Sequence, residues 1–176
     1  MKPQLSHVGI YVTEAETMIR FYETVLGLTV TDRGLSTSTK VPITFMSATP
    51  DQHHQFVLVQ GRAKDAPSTV NQLSFKVASL AELREVAGKV TARGIKLRQT
   101  SHGNAWSVYF LDPEGNQVEI YLDTPWHVAQ PHGDPMDFSL SDDVIYAQTE
   151  ARVRADPTFK TKAVREEELA RLLAQR

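Results

Sequence analysis

The sequence predicts an α+β fold: two βαβββ modules paired into a curved half-barrel sheet, with a C-terminal arm and helices behind them. Three observations predict it. A helix-capping pattern occurs twice, a strand–helix–three-strand order follows the same course twice, and the composition changes past residue 124 of the 176. A module that cannot bury its sheet alone pairs with its copy, and two curved sheets paired in this way leave a concave space suited to a ligand.

The elements follow in chain order. Leu5–Val12 (LSHVGIYV) is short and β-branched, and reads as a strand. Thr13 with Glu16 has capping-box spacing and opens a helix, and Met18, Tyr22 and Val25 recur at i, i+4, i+7 as its apolar face. Gly27 stands where a left-handed cap stops that helix. Leu28–Asp32, Ile43–Ser47 and Phe56–Gln60 read as strands, and the polar segment 61–70 as a linker. The second module repeats the order: strand Gln72–Val77, capping box Ser79 and Glu82, a helix face of Leu80, Leu83, Ala87 and Val90, and a stop at Gly94. Three more strands are expected at Ile95–Arg98, Ala105–Leu111 and Gln117–Leu122. The last two are joined by the turn sequence Asp112-Pro-Glu-Gly-Asn116. HVGIYV at His7 and QLSFKV at Gln72 stand 65 residues apart, and the two capping boxes 66 apart.

This assigns residues 1–124 to one domain of two modules, 5–60 and 71–122, and 125–176 to an extension. Pro125, Pro131 and Pro135 with Trp126 and Phe138 read as an extended arm packed by its aromatics. Ser141 before Asp142 and Asp143 is expected to cap a helix to about Arg154. Ala163–Gln175 is a charged helix with Leu169, Leu172 and Leu173 as its apolar contact. Such a tail covers its own domain or a sister subunit, so a homodimer is expected.

Composition excludes several functions. Without cysteine there is no disulfide, thiolate metal site, iron–sulfur cluster or cysteine nucleophile. A net charge of −2, from 19 Lys+Arg against 21 Asp+Glu, gives no case for nucleic acid or an acidic membrane surface. No apolar run nears the roughly 20 residues of a membrane span. The start reads as a strand, not as a signal peptide, and a cytoplasmic small-molecule protein is expected.

The chemistry-bearing residues fall into two groups. Glu119 lies in an apolar strand between Val118 and Ile120, where a carboxylate needs a partner or a cation. Alternation turns it to the opposite face from both neighbours. His7 and Gln72 occupy matching positions of the two modules, so His7, Gln72 and Glu119 converge from three strands in the manner of a facial metal triad. The second group is His53, His54, His102 and Tyr109, which offer imidazoles for proton transfer and a phenol for an anionic oxygen. His127 and His132 are read as structural residues of the arm.

Residues 5–122 resemble the vicinal-oxygen-chelate superfamily of glyoxalase I, bleomycin-resistance proteins and type I extradiol dioxygenases. The carriers are LSHVGIYV, FYETVLGL, the pair His53-His54 before an apolar strand, and above all SHGNAWSVYFLDPEGNQVEIY. The last is similar to the extradiol dioxygenase signature. The resemblance implies ring opening of a catechol-like substrate by O2 at Fe(II), with Mn(II) or another divalent ion as the alternative. It implies His7 and Glu119 as metal ligands, with Gln72 standing where that family carries a histidine. It further implies His54 as the acid–base group, and His102 and Tyr109 as groups that steady anionic oxygens. Gln72 leaves three outcomes open: it ligates, as a glutamine does in some glyoxalases; the ion is one that tolerates oxygen ligands; or the chain only binds a ligand. The fourth strand, QFVLVQ, carries no acid, which disfavours the four-ligand glyoxalase site.

Overall fold

The computed structural model describes residues 3–175. It carries four helices and the expected duplication, in two compact units. The first runs to Asn71 and takes in Leu111–Gln117; the second is Gln72–Phe110 with the chain from Val118 onward.

In the first unit, strand β1 (Val8–Val12) leads to helix α1 (Ala15–Leu26) and then to β2 (Thr29–Leu35), β3 (Pro42–Ser47) and β4 (Phe56–Gln60). The open sheet has the order β1-β4-β3-β2, with β1 parallel to β4 and the other pairs antiparallel. Met18, Tyr22 and Val25 are fully buried on α1, as their spacing requires, and the Tyr22 ring lies 4.6 Å from that of Phe56. Gly27 adopts φ 72° and closes α1 with a left-handed cap, its N–H donating to the Glu23 carbonyl.

The start of α1 differs from the expected capping box. Glu16 does not fold back; it pairs with Arg33 at 2.8 Å. Glu114 of the segment Leu111–Gln117 supplies the cap instead, its Oε1 accepting from the N–H groups of Thr13 at 2.7 Å and Glu14 at 2.8 Å. One carboxylate thus takes the N-cap N–H and the one before it, and meets the positive end of the helix. Asp112 organises the same segment. Its Oδ1 accepts from the N–H groups of Glu114 and Asn116, and its Oδ2 from Asn116 Nδ2 and the Tyr22 hydroxyl. Burial and the Asp112 carboxylate push the Tyr22 phenol far above its usual range.

The second unit repeats the order with β5 (Leu73–Lys76), α2 (Leu80–Thr91), β6 (Arg98–Ser101), β7 (Ala105–Leu111, its last residue in the first unit) and β8 (Gln117–Asp123, which enters the second at Val118). The strand order β6-β7-β8-β5 is that of the first sheet, and β5 runs parallel to β8. At α2 the Ser79 half of the capping box forms, its Oγ accepting from Glu82 N–H, while the Glu82 carboxylate reaches back one residue further, to Ala78 N–H at 2.8 Å. Val86, rather than Ala87, completes the buried face of α2. Strand β6 begins three residues later than expected. Gly94, at φ 72°, and a bond from Ile95 N–H to the Val90 carbonyl prolong the helix stop, so Ile95–Leu97 finish the turn before pairing starts.

The extension packs within this second unit. β9 (Trp126–His127) pairs with β11 (Lys160–Thr161), and β10 (Asp134–Pro135) adds to the edge of β6. Between them lies α3 (Asp142–Ala155), and α4 (Lys162–Ala174) closes the chain. Ser141 precedes α3 but makes no side-chain cap; Arg84 of α2 reaches that region instead, bonding the carbonyls of Phe138 and Leu140 and the Asp142 carboxylate. Trp106 is fully buried under the extension, with its Nε1–H on Thr149 Oγ1 at 2.9 Å and the Tyr146 ring at 4.7 Å. On α4 no described residue is buried, and Leu169 and Leu172 stand exposed.

Candidate functional site

The two units each gather part of the expected residues. In the first, His7, just before β1, packs against His54 with ring centroids 4.4 Å apart and the planes tilted by 59°. His54 also lies 5.0 Å from Phe45, and its Nδ1 is 2.9 Å from that of His53. Partial burial, then the charges of His7 and His53, hold the His54 imidazole below its usual value. His53 faces Asp32 at 3.7 Å.

The second unit holds Gln72, His102, Tyr109 and Glu119. β8 reads Gln-Val-Glu-Ile-Tyr-Leu-Asp, and alternation buries Val118 and Ile120 while turning Glu119, Tyr121 and Asp123 to the other face. That face floors a cavity of about 530 Å³, within the range of small-molecule sites. Glu119 retains only 8% of its surface. Its two oxygens take three donors: Oε2 accepts from Gln72 Nε2 at 2.9 Å and from Ser74 Oγ at 2.7 Å, and Oε1 from the Tyr109 hydroxyl. Ser74 stands directly opposite Glu119 in the β5–β8 ladder, with Gln72 two residues before it on the same face.

Tyr109 extends the chain of contacts. Its hydroxyl lies 2.7 Å from His102 Nε2, and His102 Nδ1 lies 2.6 Å from the His132 carbonyl. A carbonyl only accepts, so Nδ1 carries a ring proton. In the neutral imidazole Nε2 is then an acceptor, and Tyr109 has one proton for two neighbours. Both of its contacts form together only when the string holds one proton more. Burial, then the hydrogen bond and charge of Glu119, push the Tyr109 phenol up to about 12, while Arg98, 4.2 Å over the ring, works the other way.

Sequence reasoning missed Ser74, Tyr121, Asp123 and Gln130. The alternation of β8 contained the signal for Tyr121 and Asp123, and the β5–β8 pairing that for Ser74. For Gln130, in the arm, there was none. Of the proposed metal ligands, His7 belongs to the first unit and Gln72 and Glu119 to the second. Among the described residues no group of three or more His, Asp or Glu side chains stands ready to hold a metal ion. The donor types suit a divalent cation once those protons turn away: a nearly buried carboxylate is a hard-cation ligand, and the amide and hydroxyl beside it carry oxygens that can turn toward an ion.

The chain belongs to the Glyoxalase/Bleomycin resistance protein/Dioxygenase superfamily, which it matches over residues 4–120. It is 27% identical over 128 residues to biphenyl-2,3-diol 1,2-dioxygenase 3 of Rhodococcus globerulus, a match covering 69% of this chain and 64% of that enzyme. Its fold is similar to a glyoxylase/bleomycin resistance protein/dioxygenase domain from Frankia sp. EAN1pec (TM-score 0.59, 21% identity, 70% of this chain and 100% of that one). It is also similar to the fosfomycin resistance protein FosX of Listeria monocytogenes, solved with Mn(II) and sulfate (TM-score 0.55, 18% identity, 70% and 95%). Among the described residues no helix is long and apolar enough to cross a membrane.

Proposed function

We propose that the chain is a metal-dependent, extradiol-type dioxygenase acting on a catechol-like substrate. The observation that carries this reading is the His102–Tyr109–Glu119 string at the floor of a small-molecule cavity. Those three residues are the histidine, tyrosine and glutamate of the dioxygenase-like signature, and the Rhodococcus enzyme is a relative in sequence. Gln72 and Glu119 are the ligands the second unit offers; His7 is the one the resemblance adds. Fe(II) is the first expectation and Mn(II), the ion named with FosX, the second.

When bound, the metal supplies Lewis acidity toward two vicinal oxygens and one-electron chemistry toward O2. The remaining work falls to the chain. Glu119 gives the charge that holds a cation. Tyr109 keeps its proton at neutral pH and, once it turns from Glu119, can donate it in a hydrogen bond to an anionic substrate oxygen. His102 Nε2 passes or receives a proton at the Tyr109 hydroxyl. His54, which the resemblance adds as the acid–base group, is held below its usual value, toward the neutral form that accepts a proton.

A second reading is favoured by one observation: every oxygen of Glu119 already has a protein donor, and Gln72 is a weaker ligand than imidazole. On it, the chain binds a small molecule without metal. Anaerobic purification with added Fe(II) or Mn(II), followed by metal analysis, separates the two. Stoichiometric metal in the wild type, lost in Glu119→Ala, together with a yellow ring-opened product from a catechol panel and O2, is the expected result. A wild type that takes up neither ion overturns the dioxygenase reading and leaves the binding one. Gln72→His is expected to tighten Fe(II) about tenfold or more; unchanged affinity removes Gln72 from the ligand set.

A further inference from the structure

The superfamily match ends at residue 120, yet His102 is held from beyond it. Gln130 of the arm donates from Nε2 to the His102 carbonyl at 2.8 Å and lies 3.3 Å from Asn104 Oδ1. Its Oε1 accepts from His132 N–H at 3.2 Å. The His132 carbonyl in turn faces His102 Nδ1 at 2.6 Å. These contacts form a closed circuit: His102 carbonyl, Gln130 amide, His132 backbone from its N–H to its carbonyl, His102 ring. The turn inside the circuit is tight. Gly103 sits at φ 73°, and a Cβ there would meet Val128 Cγ2 at 2.5 Å, so the arm passes directly over the glycine. Thr124 anchors the same turn from its other side, its Oγ1 donating to the Gly103 carbonyl at 2.5 Å.

A histidine with one free rotor and two nitrogens has two tautomers and two ring flips to choose from. The circuit removes the choice. A carbonyl at Nδ1 selects the Nδ1–H form, and that orientation points Nε2 at Tyr109. Gln130 does not touch Nε2 or Tyr109. It lies exposed at the cavity mouth and acts through the backbone of His132, holding its N–H while its carbonyl meets the ring.

We propose that Gln130 is a positioning residue: by holding the His132 N–H it locks the arm residue whose carbonyl fixes His102 in the Nδ1–H tautomer, with Nε2 turned to Tyr109. This goes beyond the proposed reaction and stands whether or not the protein binds metal. The test is NMR of metal-free, 15N-histidine-labelled protein, in which the His102 Nδ1–H resonance and its exchange with water are read directly. The wild type is expected to show a protonated, slowly exchanging Nδ1. In Gln130→Ala that proton is expected to exchange about tenfold faster or more, with the Nε2–H tautomer appearing, since the restraint is a local opening equilibrium. Gln130→Glu keeps the shape and the acceptor but loses the donor, and is expected to move the signal the same way; it serves should the alanine variant not fold. Thr124→Val loosens the turn without touching the circuit and is expected to leave the tautomer unchanged. Wild-type exchange in both Gln130 variants, or an equal shift in Thr124→Val, overturns the proposal.

Discussion

Tyr109 carries one proton between a histidine and a carboxylate, and its value to the fold comes from the carboxylate side. Glu119 is nearly buried, and a buried charge is tolerable only while its lone pairs are filled. Tyr109→Phe removes one of three donors and adds no compensating one. We expect a loss of about 1.5–3 kcal/mol of stability, the usual worth of a hydrogen bond to a charged group, read as a shift of the urea midpoint. A change under about 0.5 kcal/mol, the range of ordinary surface substitutions, would mean that Glu119 finds water or another donor in its place. At this scale the sequence was informative where spacing encodes chemistry. His102, Tyr109 and Glu119 stand at intervals that adjacent strands of a hairpin bring together. Gln130 stands outside that hairpin, and only the path of the arm brings it to His102. Local periodicity carries no information about that path.

The elements show the same division. The spacing of Met18, Tyr22 and Val25 gave the buried face of α1, because burial on a helix depends on local period alone. The cap of α1 departs from the local pattern: Thr13 and Glu16 have the right spacing, but a carboxylate about a hundred residues away takes the N–H groups of Thr13 and Glu14. Glu114→Ala is accordingly expected to cost about 1–2 kcal/mol, the worth of a helix N-cap, whereas Glu16→Ala, which breaks only a surface pair with Arg33, should stay near 0.5 kcal/mol or below. Equal effects in thermal or urea unfolding would contradict the assignment. Helix α4 is the opposite case, an element with little to bury. Its first residue, Lys162, bonds Asp123 at 2.8 Å, and Lys76 of β5 bonds the same carboxylate at 2.6 Å. Burial pushes the Asp123 carboxyl up, but the bonds and charges of Lys162 and Lys76 outweigh it and hold the group below its ordinary 3.8. The unfolded chain therefore takes up the proton first as pH falls. The link is fully present above the ordinary value and is lost as acid titrates the folded carboxyl. Amide exchange in α4, after correction for intrinsic rates, is expected to speed up below about pH 4 in the wild type, with Asp123→Asn already fast at pH 6. An acid-insensitive α4 would place its anchor elsewhere.

At the scale of the molecule, duplication explains two matching sheets, and the extension explains why the second differs from the first. The repeat was legible because both modules carry the same order of strands, helix and caps; that the extension would be folded into the second unit was not, since its apolar residues are spread over a polar, proline-broken segment. Structurally it is a cover, not an appendage. Trp126, Val128, Phe138, Ile145 and Val153 are all buried, and Trp106, near the start of β7, is wholly enclosed beside them. Burying side chains of this size is worth about 1.5–3 kcal/mol each, so the five together contribute on the order of 10 kcal/mol. A domain's whole stability is about 5–15 kcal/mol. Removing the cover would also bare the Trp106 indole, leave its N–H without Thr149, and strip β10 from the edge of β6. A chain ended at residue 123 retains every residue of the superfamily match and both modules, and on sequence similarity alone it should fold. The energetics predict otherwise: it should aggregate on expression or, if recovered, show exposed tryptophan fluorescence and no cooperative urea transition. Ile145→Ala in the full chain gives the graded version, with a loss of about 2–5 kcal/mol, as for other buried isoleucines. A soluble 123-residue chain that unfolds cooperatively at the wild-type midpoint would show that the two modules suffice and that the extension serves only the site it borders.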